Sequence, residues 1–292
     1  MSDKHTVEQV IAAHQAKGKY IQVDGINTFV LDQGEGEVVL CIHGVPTSSF
    51  LYRKVIAALA ANGMRGVCVD LPGLGLSDRP EDFDYTFHSF ARFLARATEV
   101  LGIQEFHLVV HDIGGPIGFA LAAENKERIK SLTILNTWVD VVHFKKPLPM
   151  RPFEMPVLGE AELKSLTHTT WQLGFTKVAV ANADNIPKEE IYAYIDLLKR
   201  EDNGAAFLKI MRSFDKSEEF KRLCYQAVEQ VPYPVQAIWG AEDPGLTYER
   251  YGEEMKLAAN LPQVHKLKAS HLLQEEKPEE IAALVVDLAR KA

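Results

Sequence analysis

Asp112 stands where an apolar run, 106–111, meets a cluster of small residues, Gly114, Gly115, Pro116 and Gly118. A strand that must turn abruptly into a helix needs such residues, and the turn then presents whatever side chain sits at its tip. The segment has the look of a nucleophile elbow, written G-x-S-x-G in its hydroxyl form, with Asp112 in the nucleophile place and Val110 in the first small-residue place. No serine occupies that place, so a serine nucleophile is excluded. Amides opening the following helix would orient the Asp112 carboxylate and keep it ionised. His271 follows a last apolar run, 264–269, and Asp243 lies in the segment GAEDP after the run 235–240. A histidine held by a carboxylate can deprotonate water, which makes His271 the candidate base and Asp243 its orienting acid. His43, Gly44, Val45 and Pro46 form a turn in which the Val45 amide can point inward beside the Ile113 amide, and two such donors stabilise a developing oxyanion. Each residue alone also has a plainer reading: Asp112 as a helix cap, Asp243 as a turn residue before Pro244, His271 as a packed or metal-bound histidine.

What unites them is position, because open α/β sheets keep their ligand crevice beyond the carboxyl ends of the strands. Short apolar runs predict strands at 20–23, 27–31, 38–43, 66–70, 106–111, 132–135, 235–240 and 264–269. Helical periodicity falls between them at 50–61, 87–101, 117–124, 249–259 and 278–289. His43, Asp112, Asn136, Asp243 and His271 all follow strand ends in this reading. The alternation predicts an α/β fold with a mostly parallel sheet covered by helices on both faces. Over 139–226 it gives way to helical segments at 161–166, 188–199 and 205–214, behind prolines at 147, 149, 152 and 156. The expected organisation is a core in two parts, 1–138 and 231–292, with a helical insertion at 139–230.

The chain has 292 residues, 47% of them hydrophobic, and 32 Lys plus Arg against 40 Asp plus Glu. A formal charge of -8 without a basic run argues against nucleic acid as a partner. Cys41, Cys68 and Cys224 are too few and scattered for a disulfide framework or zinc spacing. The glycines do not form a dinucleotide fingerprint after the first strand, so no cofactor and no metal is expected. No leader pattern and no apolar stretch of about 18 residues occurs, so the sequence reads as cytoplasmic and not membrane-bound, with monomer or homodimer open.

Several segments together resemble the haloalkane dehalogenase and epoxide hydrolase branch of the α/β-hydrolases over nearly the full length. They are His43-Gly44-Val45-Pro46-Thr47-Ser48-Ser49, Asp70-Leu71-Pro72-Gly73-Leu74-Gly75-Leu76-Ser77, His111-Asp112-Ile113-Gly114-Gly115, Asn136-Thr137-Trp138, Trp239-Gly240-Ala241-Glu242-Asp243-Pro244 and Ser270-His271. A helical cap between Asn136 and Val235 also matches. The resemblance implies two-step hydrolysis of a small apolar substrate: Asp112 forms an alkyl ester, and water activated by His271, with Asp243 behind it, cleaves that ester. Members that release halide usually carry a tryptophan where this chain has Ile113, and many an asparagine where it has Val45. Neither side chain here donates a hydrogen bond. His43, Asn136, Trp138 and the cap residue Trp171 are the candidate substrate or leaving-group contacts. Epoxide hydrolysis instead needs cap tyrosines, for which Tyr192, Tyr194 and Tyr225 are available. Ester or lactone hydrolysis, and a non-catalytic ligand-binding role, complete the alternatives. Phe144, Phe153, Trp171, Phe175 and Phe214 are expected to shape an apolar pocket.

Overall fold

The computed structural model describes residues 6–292; residues 1–5, on which the expected absence of a leader partly rests, lie outside them. Its centre is an eight-stranded sheet in the order β1-β2-β4-β3-β5-β6-β7-β8. The strands are β1 (Gly18–Val23), β2 (Ile26–Gln33), β3 (Val38–Ile42), β4 (Arg65–Val69), β5 (Phe106–His111), β6 (Ile129–Leu135), β7 (Val235–Gly240) and β8 (His265–Leu267). Only the β1–β2 and β2–β4 pairings are antiparallel. β8 is shorter than the apolar run 264–269 suggests: Ala269 folds back onto the Leu267 carbonyl, and the chain turns toward Ser270 and His271.

The sheet is covered on both faces because its strands alternate. Leu40, Ile42, Leu108 and Val110 belong to one buried cluster, and their neighbours Val39, Cys41 and Val109 to the other. α3 (Phe87–Val100) and α4 (Gly114–Glu124) bury side chains in the first cluster; α2 (Ser49–Ala61) and α12 (Pro278–Ala289) bury theirs in the second. Every residue of β5 is buried, as a central parallel strand requires.

The chain leaves the sheet after β6 and returns at β7. Between them, α5 (Leu158–Ser165), α6 (His168–Gly174), α7 (Lys188–Lys199), α8 (Ala205–Arg212) and α9 (Glu218–Gln226) follow a 3₁₀ segment at Leu148–Glu154. The clustered prolines fall in and around that segment, where missing amide donors prevent a regular α-helix. α9 packs back against α4 of the core. An N-terminal helix, α1 (Val7–Gln15), was not among the expected elements. Thr6 and Gln9 close a capping box around its first turn, and its apolar Val7, Val10 and Ile11 lie against the second cluster. α10 (Glu253–Ala258) and α11 (Leu273–Glu276) complete the core. Among the described residues no helix is long and apolar enough to cross a membrane.

One buried charge cluster ties the insertion to the core. Glu275 of α11, with a fully buried side chain, accepts from Arg53 of α2 at 2.5 and 3.0 Å and pairs with Lys54 at 2.9 Å. Arg53 also bonds Glu190 of α7, and Tyr194 of α7 donates to Glu275. Burial alone would raise the Glu275 pKa, but Arg53 outweighs it and holds the carboxyl below its usual range. Removing one partner of such a pair leaves a buried charge undercompensated. Arg53→Leu is expected to lower unfolding free energy by about 3 kcal/mol, read from urea denaturation; a loss under about 1 kcal/mol would mean Lys54 alone suffices.

Candidate functional site

The carboxyl ends of β3, β5, β6, β7 and β8 lie side by side, so His43, Asp112, Asn136, Asp243 and His271 meet along one edge. Asp112 has φ +53°, an uncommon conformation for a residue with a side chain, worth of order 1–3 kcal/mol of strain. The fold imposes it by close approach. A Cβ on Gly44 would lie 2.3 Å from the Asp112 Cβ, and one on Gly114 would lie 2.5 Å from the Ile42 carbonyl oxygen. Only glycines let the β3 turn and the start of α4 come so near. The elbow is fastened to β6, since the Asp112 amide donates to the Asn136 carbonyl at 3.1 Å and the Thr137 hydroxyl donates to the Asp112 carbonyl at 2.6 Å.

Asp112 Oδ1 accepts the Val45 amide at 2.9 Å, and the Ile113 amide beside it also acts to lower the carboxyl pKa. Its Oδ2 lies 3.7 Å from His271 Nε2. On the other side of the ring, His271 Nδ1 bonds Asp243 Oδ2 at 2.7 Å. Asp243 is itself saturated: Oδ1 accepts the amides of Gly245 and Leu246 at 2.8 and 2.9 Å, and Oδ2 accepts from Asn136 at 2.8 Å. The His271 backbone is pinned by His111, whose Nε2 donates to the His271 carbonyl at 2.9 Å.

Burial raises the Asp112 pKa, opposed by His271 and by the two amides, and the net direction is upward. Burial lowers that of His271, but the charge and hydrogen bond of Asp243, with Asp112 behind them, overcome it and raise the imidazole to about 9. Asp243, whose burial is outweighed by His271 and the donors around it, falls to about 2. His271 is thus drawn toward the imidazolium form by the Asp243 and Asp112 carboxyl groups on its two sides.

Asp112 and His271 open onto a cavity of about 400 Å³ beneath the helical insertion. Phe144, Phe153, Trp171, Phe175 and Phe214 all line it. Of the other expected contacts, Trp138 and Trp171 line it, whereas His43, Asn136, Tyr192, Tyr194 and Tyr225 do not. His43 is fully buried, donating to the Gly44 carbonyl and accepting from the Leu71 amide, so it fixes the turn and does not line the cavity. Asn136 is likewise buried and spends its amide on Asp243 and on both backbone groups of Gly240. Tyr192 donates to Gln172 and stacks on His168, Tyr194 bonds Glu275, and Tyr225 stands away from the cavity near Lys221; none of the three lines it. Trp171 reaches the cavity, but its indole N–H donates to the Ile191 carbonyl at 2.8 Å. Trp138 lines the cavity, stacks on Phe144 at 3.6 Å, and has a buried indole N–H with no acceptor among the described residues.

Two further residues were not singled out in the sequence. His111 reads as the last residue of a strand, and only its contact with the His271 carbonyl gives it a role. Lys146, beside Lys145 in a proline-rich stretch, reads as a solvated charge, yet it is 4% exposed and lines the cavity.

Histidine linkage gives a measurable consequence. With its pKa raised from about 6.5 to about 9, His271 contributes stability that is complete below pH 6.5 and lost as pH rises through 9. The stability difference between wild type and His271→Gln is expected to shrink by up to about 3 kcal/mol over that interval. A flat difference in denaturation experiments across it would contradict the imidazolium arrangement.

Comparison with known proteins agrees with this architecture. The family model described as alpha/beta hydrolase fold matches residues 37–278. Haloalkane dehalogenase 2 of Mycobacterium tuberculosis is 27% identical over 271 residues, covering 88% of this chain and 89% of that protein. The cis-3-alkyl-4-alkyloxetan-2-one decarboxylase of Shewanella oneidensis is 39% identical over 137 residues, 46% of this chain and 43% of its own. Among solved structures, wild-type Cfl2 from Burkholderia cenocepacia superposes with a TM-score of 0.81 at 25% identity, covering 92% of this chain and 94% of that one. An eight-stranded sheet with one antiparallel end, a strained turn after its central strand, and a family match spanning most of the sequence give one conclusion: the chain belongs to the α/β-hydrolase fold family, with haloalkane dehalogenases among its relatives.

Proposed function

We propose that the protein is a hydrolase that cleaves carbon–halogen bonds through a covalent ester on Asp112. The observation that carries this reading is the placement of the Asp112 carboxylate. It sits on a strained elbow between the amides of Val45 and Ile113, 3.7 Å from His271, and faces an apolar cavity. A carboxylate with little water around it attacks carbon readily.

In the first step an Asp112 oxygen bonds to the halogen-bearing carbon, and the halide leaves with the electron pair of the broken bond. Trp138 is the candidate indole donor to that halide, since its buried N–H has no acceptor among the described residues whereas Trp171 is committed to Ile191. Ester formation removes the negative charge of Asp112, which is one of the influences raising His271. The imidazolium then gives up its proton and becomes the base. It takes a proton from water, the resulting hydroxide attacks the ester carbonyl, and the Val45 and Ile113 amides hold the oxyanion. Collapse releases the alcohol and restores Asp112, so water and haloalkane become alcohol, halide and a proton. The helical insertion, 139–230, serves in this reading as a cap that keeps bulk water from the ester.

Epoxide opening is less well supported, because it needs a tyrosine at the cavity and none lines it among the described residues. The half-length match to the oxetanone decarboxylase keeps strained lactones as a second electrophile class worth including in the test.

Peptide-mapped mass spectrometry of His271→Phe, exposed separately to haloalkane, epoxide and β-lactone pools, decides among these. The expected result is an Asp112 adduct equal to the haloalkane minus hydrogen halide. An adduct of whole epoxide or whole lactone mass would replace the dehalogenase reading, and labelling elsewhere would remove Asp112 as nucleophile. In the same background Trp138→Phe is expected to slow bromoalkane labelling by about tenfold to a hundredfold, the worth of one hydrogen bond to a developing anion; an unchanged rate would place halide stabilisation elsewhere.

A further inference from the structure

Lys146 is the only Lys or Arg among the described residues that line the Asp112 cavity. It lies in the connection that leaves β6. Its Nζ stands 3.5 Å from the centre of the Phe214 ring, 2.5 Å from Glu154 Oε1 and 2.9 Å from the Met211 carbonyl. Taking an ammonium out of water is costly, and an apolar side chain at this place in the wall would avoid that cost. The partner it has is also an unequal one. Lys146 is 4% exposed, whereas the Glu154 side chain is 34% exposed and has a second cation, Lys216, 3.5 Å from the same oxygen. Glu154 can therefore exchange partners at the surface, while Lys146 can find another only from within the cavity.

We propose that Lys146 is a specificity-determining residue that recognises a carboxylate on the substrate, at the end away from the carbon that Asp112 attacks. The substrate class is then a halogenated carboxylic acid with a short apolar chain between its two functional ends. This inference rests on the Asp112 reading above. On binding, the substrate carboxylate takes the place of Glu154 on Lys146, and Glu154 passes to Lys216. Two charge-assisted pairs stand after the exchange, so no charge is left buried and unpaired. A fixed cation at the wall also orients a flexible chain, which brings its electrophilic carbon to the elbow in one register rather than many. Burial lowers the Lys146 pKa, and Glu154 opposes this most, with Asp112 adding a smaller pull in the same direction.

The test compares ω-bromohexanoate, its methyl ester and bromohexane as labels of Asp112 in the His271→Phe chain, with second-order labelling rates read by mass spectrometry. The acid is expected to label about tenfold faster than either neutral compound, with the ratio falling to about one in Lys146→Met and surviving in Lys146→Arg. Equal rates for acid and ester on the parent chain would overturn carboxylate recognition without using any Lys146 variant. A ratio that persists in Lys146→Met would assign the recognition elsewhere, and equal slowing of all three compounds there would reduce Lys146 to a brace of the insertion. Either of these overturns the inference while Asp112 labelling by bromohexane leaves the proposed function standing. No labelling by any of the three compounds would overturn both.

Discussion

A carboxylate buried at the floor of an apolar cavity is the constraint on which the rest of this structure depends. Without compensation Asp112 would take up a proton and lose the charge that the proposed attack on carbon requires, since burial pushes its pKa upward. Three things oppose that outcome: the Val45 amide, the Ile113 amide and the His271 imidazolium. Each is fixed by a different part of the chain. The Val45 amide depends on the β3 turn, which approaches the elbow only because residue 44 is glycine. The Ile113 amide depends on the positive φ of Asp112 itself. His271 depends on Asp243, and Asp243 on Asn136 and the two amides of its own turn. The strain at residue 112 is thus the local cost of putting donors where a single charge needs them.

Asn136 shows how this dependence spreads through the sheet. Its side chain bonds Asp243 and both backbone groups of Gly240, and its carbonyl receives the Asp112 amide. One residue at the end of β6 therefore ties the ends of β5 and β7 together. Displacing it would loosen Asp112 and Asp243 at once, although it does not line the cavity.

Much of this was legible in the sequence, for physical reasons that differ from element to element. Buried parallel strands must be short and continuously apolar, so 106–111 and 235–240 were read with the bounds the fold gives them. The elbow was legible because only small residues permit its geometry, and His271 and Asp243 because each follows a strand end. Contacts among side chains were not legible. Asn136 and Tyr192 carry groups that could serve a substrate, and nothing in their spacing says that Asp243 and Gln172 already engage them. Lys146 is the reverse case: a lysine beside another lysine in a proline-rich stretch gives no sign of burial, which arises only when Phe214 and Met211 arrive from some 65 residues later. Helix α1 is short, with an apolar stripe of only Val7, Val10 and Ile11, and owes its definition also to a capping box and to surfaces contributed by distant segments.

Charge balance joins these parts into one cycle. In the proposed cycle Asp112 and Asp243 are negative and His271 positive at rest, a sum of one negative charge. When the proposed ester forms, Asp112 becomes neutral and His271 sheds its proton, so only Asp243 stays charged and the sum is again one negative. The halide and the proton that depart are themselves a neutral pair. In that cycle the three residues hold the same net charge in both long-lived states, which matters because the largely apolar walls offer little solvation for an additional ion. Asp243 is the residue able to hold that constant charge: it has the most donors, and its pKa lies at about 2. Asp112 can then alternate between charged and neutral without the site having to reorganise around it.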